Sequence, residues 1–192
     1  EDYRNNILSS IKHNLPKNIQ ELVLVNNAAT QIVNSMSKIT WEDWHKSLSI
    51  NTVAPFFLAQ GLFQELKAAK GHIINISSIH SKLTKPNFAT YAASKAALNS
   101  LTRSLAIEMS PHGISVNAIL PAAVETEMLI AGFKKNINKY KDLNKCHPSQ
   151  SIGSPEEIAS IIKLITDNNS KFMTGSYVNI DGGIGGLLVD PD

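Results

Sequence analysis

HIINISSIHSKLTKPNFATYAASKAALNSLTRSLAIEMSPHGISVNAILP, from His72 to Pro121, holds one whole strand–helix–strand unit. Its ends, His72 to Ser77 and Ile114 to Ile119, are short, apolar and rich in isoleucine or valine. That is the composition of strands buried on both faces. Between them a helix is expected from about Thr90 to Ser110, closed by Pro111 and Gly113. Outward from this unit the pattern repeats. Leu22–Asn26 and Tyr177–Ile180 are further strand candidates. A helix from about Trp41 to Ala69 fills the gap before His72, with Thr40 and Asp43 at its N-terminal cap and Gly71 at its end. Ser154-Pro155-Glu156-Glu157 starts another: Ser154 caps, Pro155 takes the first helical position, and Glu157 completes a capping box. Such repetition implies parallel strands joined by right-handed crossovers. The expected class is therefore α/β, a doubly wound parallel sheet, in a single domain over residues 1–192.

Composition narrows the function. The chain has 192 residues, the length of one domain. Hydrophobic residues make up 43% and charged residues 18%, below the roughly 25% of an average soluble domain, which argues for a large core and against disorder. No apolar run approaches the ~18 residues of a membrane span, and the opening EDYRNNILSS is too polar for a signal peptide. A single cysteine, Cys146, excludes an internal disulfide framework and fits a reducing compartment, so the cytoplasm is the expected location. Cys146 and His147 have no further ligand pattern around them, and no metal is expected. The net charge of +2, with only Arg4 and Arg103 as arginines, argues against a nucleic-acid partner.

In open α/β sheets, ligands bind beyond the carboxyl ends of the strands. VNNAAT (Val25 to Thr30), NISSIHS (Asn75 to Ser81), LPAAVETEM (Leu120 to Met128) and IDGG (Ile180 to Gly183) occupy those places. Small and hydroxylated residues thus gather on one rim. Within YAASK, Tyr91 and Lys95 share a helix face at i and i+4. A nearby ammonium favours the phenolate, and a tyrosine so tuned exchanges a proton with a carbonyl or alcohol oxygen. Ser78 lies 13 residues before Tyr91, just past a strand, where its hydroxyl can reach the same oxygen. Asn51 stands four residues before Pro55, which has no N–H to offer the Asn51 carbonyl. The helix should kink there and leave an acceptor for water. Trp41 and Trp44 read as packing anchors, His80 as a loop histidine, and Met128 to Phe133 as a lid.

Taken in order, NNAA at Asn26 to Ala29, Asn51, ISS at Ile76 to Ser78, YAASK, SVNAILPAAVET at Ser115 to Thr126, and DGG at Asp181 to Gly183 resemble the short-chain dehydrogenase/reductase family over nearly the whole chain. The resemblance implies a Rossmann-like sheet, NAD or NADP as cofactor, and hydride transfer between a small-molecule carbonyl and its alcohol. It implies Tyr91 as acid/base and Lys95 as the group that lowers its pKa and holds the nicotinamide ribose. Ser78 would position the substrate oxygen, and Asn51 would hold a relay water. Asn26 and Ala28 would line the adenosine side, and Pro121, Val124 and Thr126 the carboxamide side.

This sequence departs from that pattern in three places. Ala29 and Ala122 stand where the family usually has glycine, and both methyl groups look tolerable. The family's glycine-rich turn TGxxxGxG, which holds the pyrophosphate at a helix N-terminus, does not occur here. GGIGG at Gly182 to Gly186 follows the last strand and reads as a turn. Leu22–Asn26 corresponds to the family's fourth strand, so the expected sheet lacks the first three and ends in a bare apolar edge. A non-catalytic fragment acting as a structural or interaction module is the alternative reading. A second apolar stripe on the Thr90–Ser110 helix, Ala93, Ala97, Leu101 and Leu105 with Ala96 and Ser100 beside it, points to a homodimer or homotetramer packed on that helix and its predecessor.

Overall fold

A computed structural model describes residues 2–133, 137–167 and 171–188. Four parallel strands lie in sequential order: β1 (Val23–Asn26), β2 (His72–Ile76), β3 (Ser115–Pro121) and β4 (Tyr177–Ile180). Val23 pairs with His72, His72 with Ser115, and Ala118 with Tyr177. Helix α1 (Asp2–Asn14) precedes β1. Helices α2 (Trp41–Leu48), α3 (Ala54–Gly61) and α4 (Phe63–Ala69) link β1 to β2, and α5 (Ala89–Met109) links β2 to β3. Between β3 and β4 lie α6 (Glu127–Phe133), α7 (Ile137–Lys145) and α8 (Pro155–Asp167). The class is the expected α/β one. Every residue of β3 is buried, whereas Val23 and Val25 of β1 are each 39% exposed at the sheet edge.

The core explains the order. Ile73 and Val116 are register partners and fully buried. They pack with Ala59 of α3, Leu62 at the break and Leu66 of α4, and with Leu105, Ala106 and Met109 from α5. Leu8 and Ile11 of α1 close over the same cluster. Gly61 admits Leu8 there, because a Cβ would collide with that side chain. A polar chain runs alongside. Asn26 Nδ2 donates to Asn75 Oδ1 at 2.7 Å, and Asn75 Nδ2 donates to Thr102 Oγ1 at 2.9 Å. It ties the carboxyl ends of β1 and β2 to α5, since buried polar groups must find partners.

Both sequence-predicted caps form. Asp43 N–H donates to Thr40 Oγ1 while Thr40 N–H donates to Asp43 Oδ2, and Ser154 and Glu157 repeat the exchange. The expected helix from Trp41 to Ala69 is not continuous. Ser49–Val53 form a π turn, with Ala54 N–H donating to Ser49 O five residues back, and the helix breaks again at Leu62. Pro55, without an N–H, follows directly, so the kink takes the form of an inserted residue. At the far end the left-handed cap falls on Lys70 (φ 47°) and not on Gly71. Gly71 is required for another reason: its Cβ would strike the Leu22 carbonyl.

Trp41 is no packing anchor. It is 72% exposed and its ring meets the edge of His45, at 4.7 Å between centroids, because it opens the first turn of α2 on the solvent side. Two substitutions separate these environments. Leu66→Ala should cost about 2–5 kcal/mol, from lost burial plus the cavity left behind. Trp41→Ala should stay within about 0.5 kcal/mol. Urea unfolding of the two variants beside the parent chain measures both.

Candidate active site

The carboxyl ends of the strands bring the sequence-predicted residues to one rim. Past β2, Ser77 N–H continues the sheet by donating to Ile119 O, and Ser77 Oγ donates to Lys95 O at 3.2 Å. Ser77 is therefore structural. Ser78 follows in an extended conformation and is 6% exposed. Its Oγ accepts from His80 N–H at 3.1 Å, which leaves its own hydrogen to donate. It stands close enough to the Tyr91 phenol to favour its ionised form. Tyr91 reaches it from the first turn of α5.

Lys95 lies one turn further on and is 2% exposed. Its Nζ donates to Ile76 O at 2.7 Å and lies 5.8 Å from the Tyr91 ring centroid. Burial pushes its pKa down to about 8. Burial also holds the Tyr91 phenol above its ordinary value, and the nearby Ser78 hydroxyl pulls the other way. In the protein alone, burial thus outweighs any lowering of the Tyr91 pKa by its neighbours.

Asn51, 1% exposed, sits inside the π turn. Its Oδ1 accepts from Thr30 N–H at 2.8 Å, and its Nδ2 donates to Thr30 O and to Ser94 Oγ, each at 2.9 Å. Ser94 Oγ in turn donates to Tyr91 O at 2.7 Å, and Thr52 Oγ1 donates to Ser94 O at 2.9 Å. The Asn51 side chain thus clamps the loop after β1 to the turn of α5 that carries Tyr91. Ser94 was missed by the sequence reading, although its place three residues past Tyr91 was a signal.

A cavity of about 620 Å³ opens in front of Ser78 and Tyr91. Its described lining includes Gln31, Val33, Ile79, His80, Leu83, Phe88, Met128, Leu129, Phe133, Leu143, Cys146, His147 and Ile184. Lys95 and Asn51 stand behind this wall and not in it. His80, expected as a plain loop residue, belongs to the lining. Its ring stacks on Phe88 at 4.4 Å and meets the edge of Tyr91 at 5.7 Å. Burial, with the nearby Lys85 charge, pushes its pKa down to about 4, so the ring is neutral near pH 7. Met128, Leu129, Gly132 and Phe133 bring α6 against the cavity where a lid was expected.

The cofactor-side candidates divide. Asn26 is 8% exposed, with an Oδ1 that is buried and without a partner among the described residues. Ala28 is exposed. Pro121 is buried in β3, and Val124 bridges to Gly153. Thr126 Oγ1 accepts from Leu129 N–H at the start of α6. From this segment it is Ala122 and Ala123 that line the cavity. Neither Ala29 nor Ala122 has a positive φ, so both methyl groups are tolerated. Among the described residues no cluster of three or more metal-ligating side chains occurs, and no helix is long and apolar enough to cross a membrane.

A family model described as enoyl-(acyl carrier protein) reductase matches residues 12–185. A short-chain dehydrogenase/reductase of Armillaria gallica is 32% identical over 187 residues, covering 92% of this chain and 71% of that protein. The chain belongs to the short-chain dehydrogenase/reductase family. Among other family relatives, the protein FixR of Bradyrhizobium diazoefficiens is 40% identical over 168 residues, which are 83% of this chain and 58% of FixR. A gluconate 5-dehydrogenase of Burkholderia cenocepacia, solved with NADP and tartrate, superposes with a TM-score of 0.85 at 27% identity, covering 96% of this chain and 71% of that one. This short-chain dehydrogenase/reductase chain spans 58–66% of the length of the first curated relatives it matches.

The buried lysine gives the family site a pH signature. Above pH 10.5 Lys95 is neutral in both folded and unfolded chains. As pH falls, the unfolded chain takes up its proton first, and the folded chain follows only near pH 8. Stability from this group therefore declines from pH 10.5 down to about 8, by about 3 kcal/mol in all at 1.36 kcal/mol per pKa unit. Tyr91 acts oppositely above pH 10, where its raised pKa makes stability fall. Denaturant titrations between pH 7.5 and 10 should show stability rising with pH. Lys95→Met should flatten that slope.

Proposed function

We propose that this chain forms the proton-transfer side of an NAD- or NADP-dependent oxidoreductase that interconverts a carbonyl and an alcohol. The observation that carries the reading is the Ser78–Tyr91 pair opening on the cavity, with the Lys95 ammonium buried behind it. NADP accompanies several of the solved relatives. The residues present suit the nicotinamide half of such a cofactor. Among the described residues, the Lys95 ammonium spends one of its three N–H groups, on Ile76 O, and two are left for ribose hydroxyls. Asn26, whose Oδ1 is a buried acceptor without a partner among the described residues, would lie with Ala28 along the adenosine side, and Pro121, Val124 and Thr126 along the carboxamide. When bound, the nicotinamide supplies or accepts the hydride.

In the reducing direction, Tyr91 holds its phenolic proton near pH 7 because burial disfavours the phenolate. It gives that proton to the substrate oxygen as negative charge develops there. Ser78 Oγ, oriented by the His80 N–H, donates a second hydrogen bond to the same oxygen. The Lys95 charge, one helical turn away, then steadies the phenolate left behind. Asn51 serves the relay through its backbone carbonyl, which Pro55 cannot engage, because its side chain is occupied by Thr30 and Ser94.

Tyr91→Phe removes this proton while keeping the ring packed against His80. Turnover of a carbonyl substrate with NAD(P)H should fall by at least about 10²-fold, with the unfolding midpoint little changed. Substantial residual turnover would remove Tyr91 from the acid/base role.

Self-association belongs to the same reading. The outward face of α5 carries Ala96, Ser100 and Ser104 with Ile107, which is 76% exposed, and Val53 beside α3 is 43% exposed. Leu101 and Leu105, expected on the contact stripe, pack instead in and against the chain's own core, so they are poor probes. Ala97 is half-buried beside that face. Ala97→Glu should convert a dimer or tetramer to smaller species in sedimentation velocity. A chain that is already monomeric, or a variant as associated as its parent, contradicts the assignment.

A further inference from the structure

We infer that the substrate of this site carries its carbonyl or alcohol on a bulky apolar body of fused-ring size, and not on a polyhydroxylated chain. The inference rests on the oxidoreductase reading above and adds the substrate class. Three large apolar side chains stand in solvent at the cavity rim: Val33 (53% exposed), Leu83 (51%) and Met128 (51%). Apolar groups left exposed around one opening mark a surface that a ligand covers. Deeper in, Phe88, Leu129 and Ile184 continue the apolar lining. The cavity, about 620 Å³, lies in the range that holds a drug-sized ligand.

Several polar groups of the lining are paired within the protein, and Gln31 is exposed. Ser78 and Tyr91 face the reacting oxygen. His80 Nδ1 is bonded to Thr84 Oγ1 at 3.1 Å, and His147 Nδ1 to Leu143 O at 2.9 Å. No aspartate or glutamate is among the described lining residues, and Lys85 carries the one fixed charge there. A sugar-like substrate would bring several hydroxyl groups into this space. Each one buried without a partner weakens binding by roughly tenfold or more. A fused-ring ketone brings one oxygen, which Ser78 and Tyr91 satisfy, and covers the rim with carbon.

The test uses purified protein with a decalone as apolar probe and gluconate as polyol probe. Binding is followed by ligand-observed NMR and by the thermal midpoint, neither of which needs turnover. Decalone should bind and raise the midpoint, while gluconate at equal concentration should do neither. Leu83→Asp and Met128→Asp place a carboxylate on the rim at exposed positions, where folding is spared. Each should weaken decalone binding about tenfold or more while the midpoint of the free protein stays put. Gluconate binding as tightly as decalone overturns the proposal, as does parent-like decalone binding by both variants. It is equally overturned if the two variants leave decalone binding intact and instead change the sedimentation coefficient, because the rim is then a contact between copies. Decalone binding without NAD(P)H oxidation supports the apolar site and counts against the hydride-transfer reading. Turnover of gluconate but not decalone does the reverse.

Discussion

One hydrogen bond organises the rim of the candidate site: the Lys95 ammonium on the Ile76 carbonyl, 2.7 Å long and shielded from solvent. A full charge inside a protein is costly unless it is partnered. Here the partner is the last residue of β2, so the bond fixes how far α5 advances along the strand. Tyr91 comes four residues earlier on that helix, and Ser78 two residues later on that chain. Their meeting follows from the same contact. The cost of the arrangement appears in the lowered Lys95 pKa and the raised Tyr91 pKa, both caused first by burial.

Polar side chains carry this geometry to the rest of the sheet. Asn26, Asn75 and Thr102 link two strands and α5, while Thr30, Asn51, Ser94 and the Tyr91 carbonyl link the first loop to the same helix. At the other side of the sheet Asn117 plays the equivalent part. Its Oδ1 accepts from Ser176 N–H at 3.0 Å and its Nδ2 donates to Met173 O at 2.8 Å, which sets the entry to β4. Hydrogen bonds of this kind are directional and resist being left unmade. They define position where the surrounding Ile, Leu and Val side chains supply only burial.

Much of this was legible in the sequence because it depends on local pattern. Short Ile/Val runs gave the strands, and Thr40/Asp43 and Ser154/Glu157 gave the caps. The i,i+4 spacing of Tyr91 and Lys95, with Ser78 at a strand end, placed the central site residues together. What was not legible depends on neighbours distant in sequence. The direction of the Tyr91 pKa is set by burial among residues from several loops. The occupied Asn51 side chain needs Thr30 and Ser94, which lie 21 and 43 residues away. The cavity wall joins Val33, Leu83, Phe88 and Leu143 from separate segments. Trp41 misled because its size suggested a core that its position at a helix start does not reach.

The π turn at Ser49–Val53 carries one residue more than an α-helix of the same span needs. Each helical residue turns the chain by about 100°. The extra residue is taken up inside that turn, so α3 keeps the facing it would have without it, and Ala59 stays in the core. A residue added or removed between Ala54 and Leu58, where no such turn absorbs it, would instead rotate everything downstream by about that angle. Chain length there is thus as constrained as the identity of the candidate site residues. The loops beyond the strands, which no such constraint governs, can change length without turning a helix face.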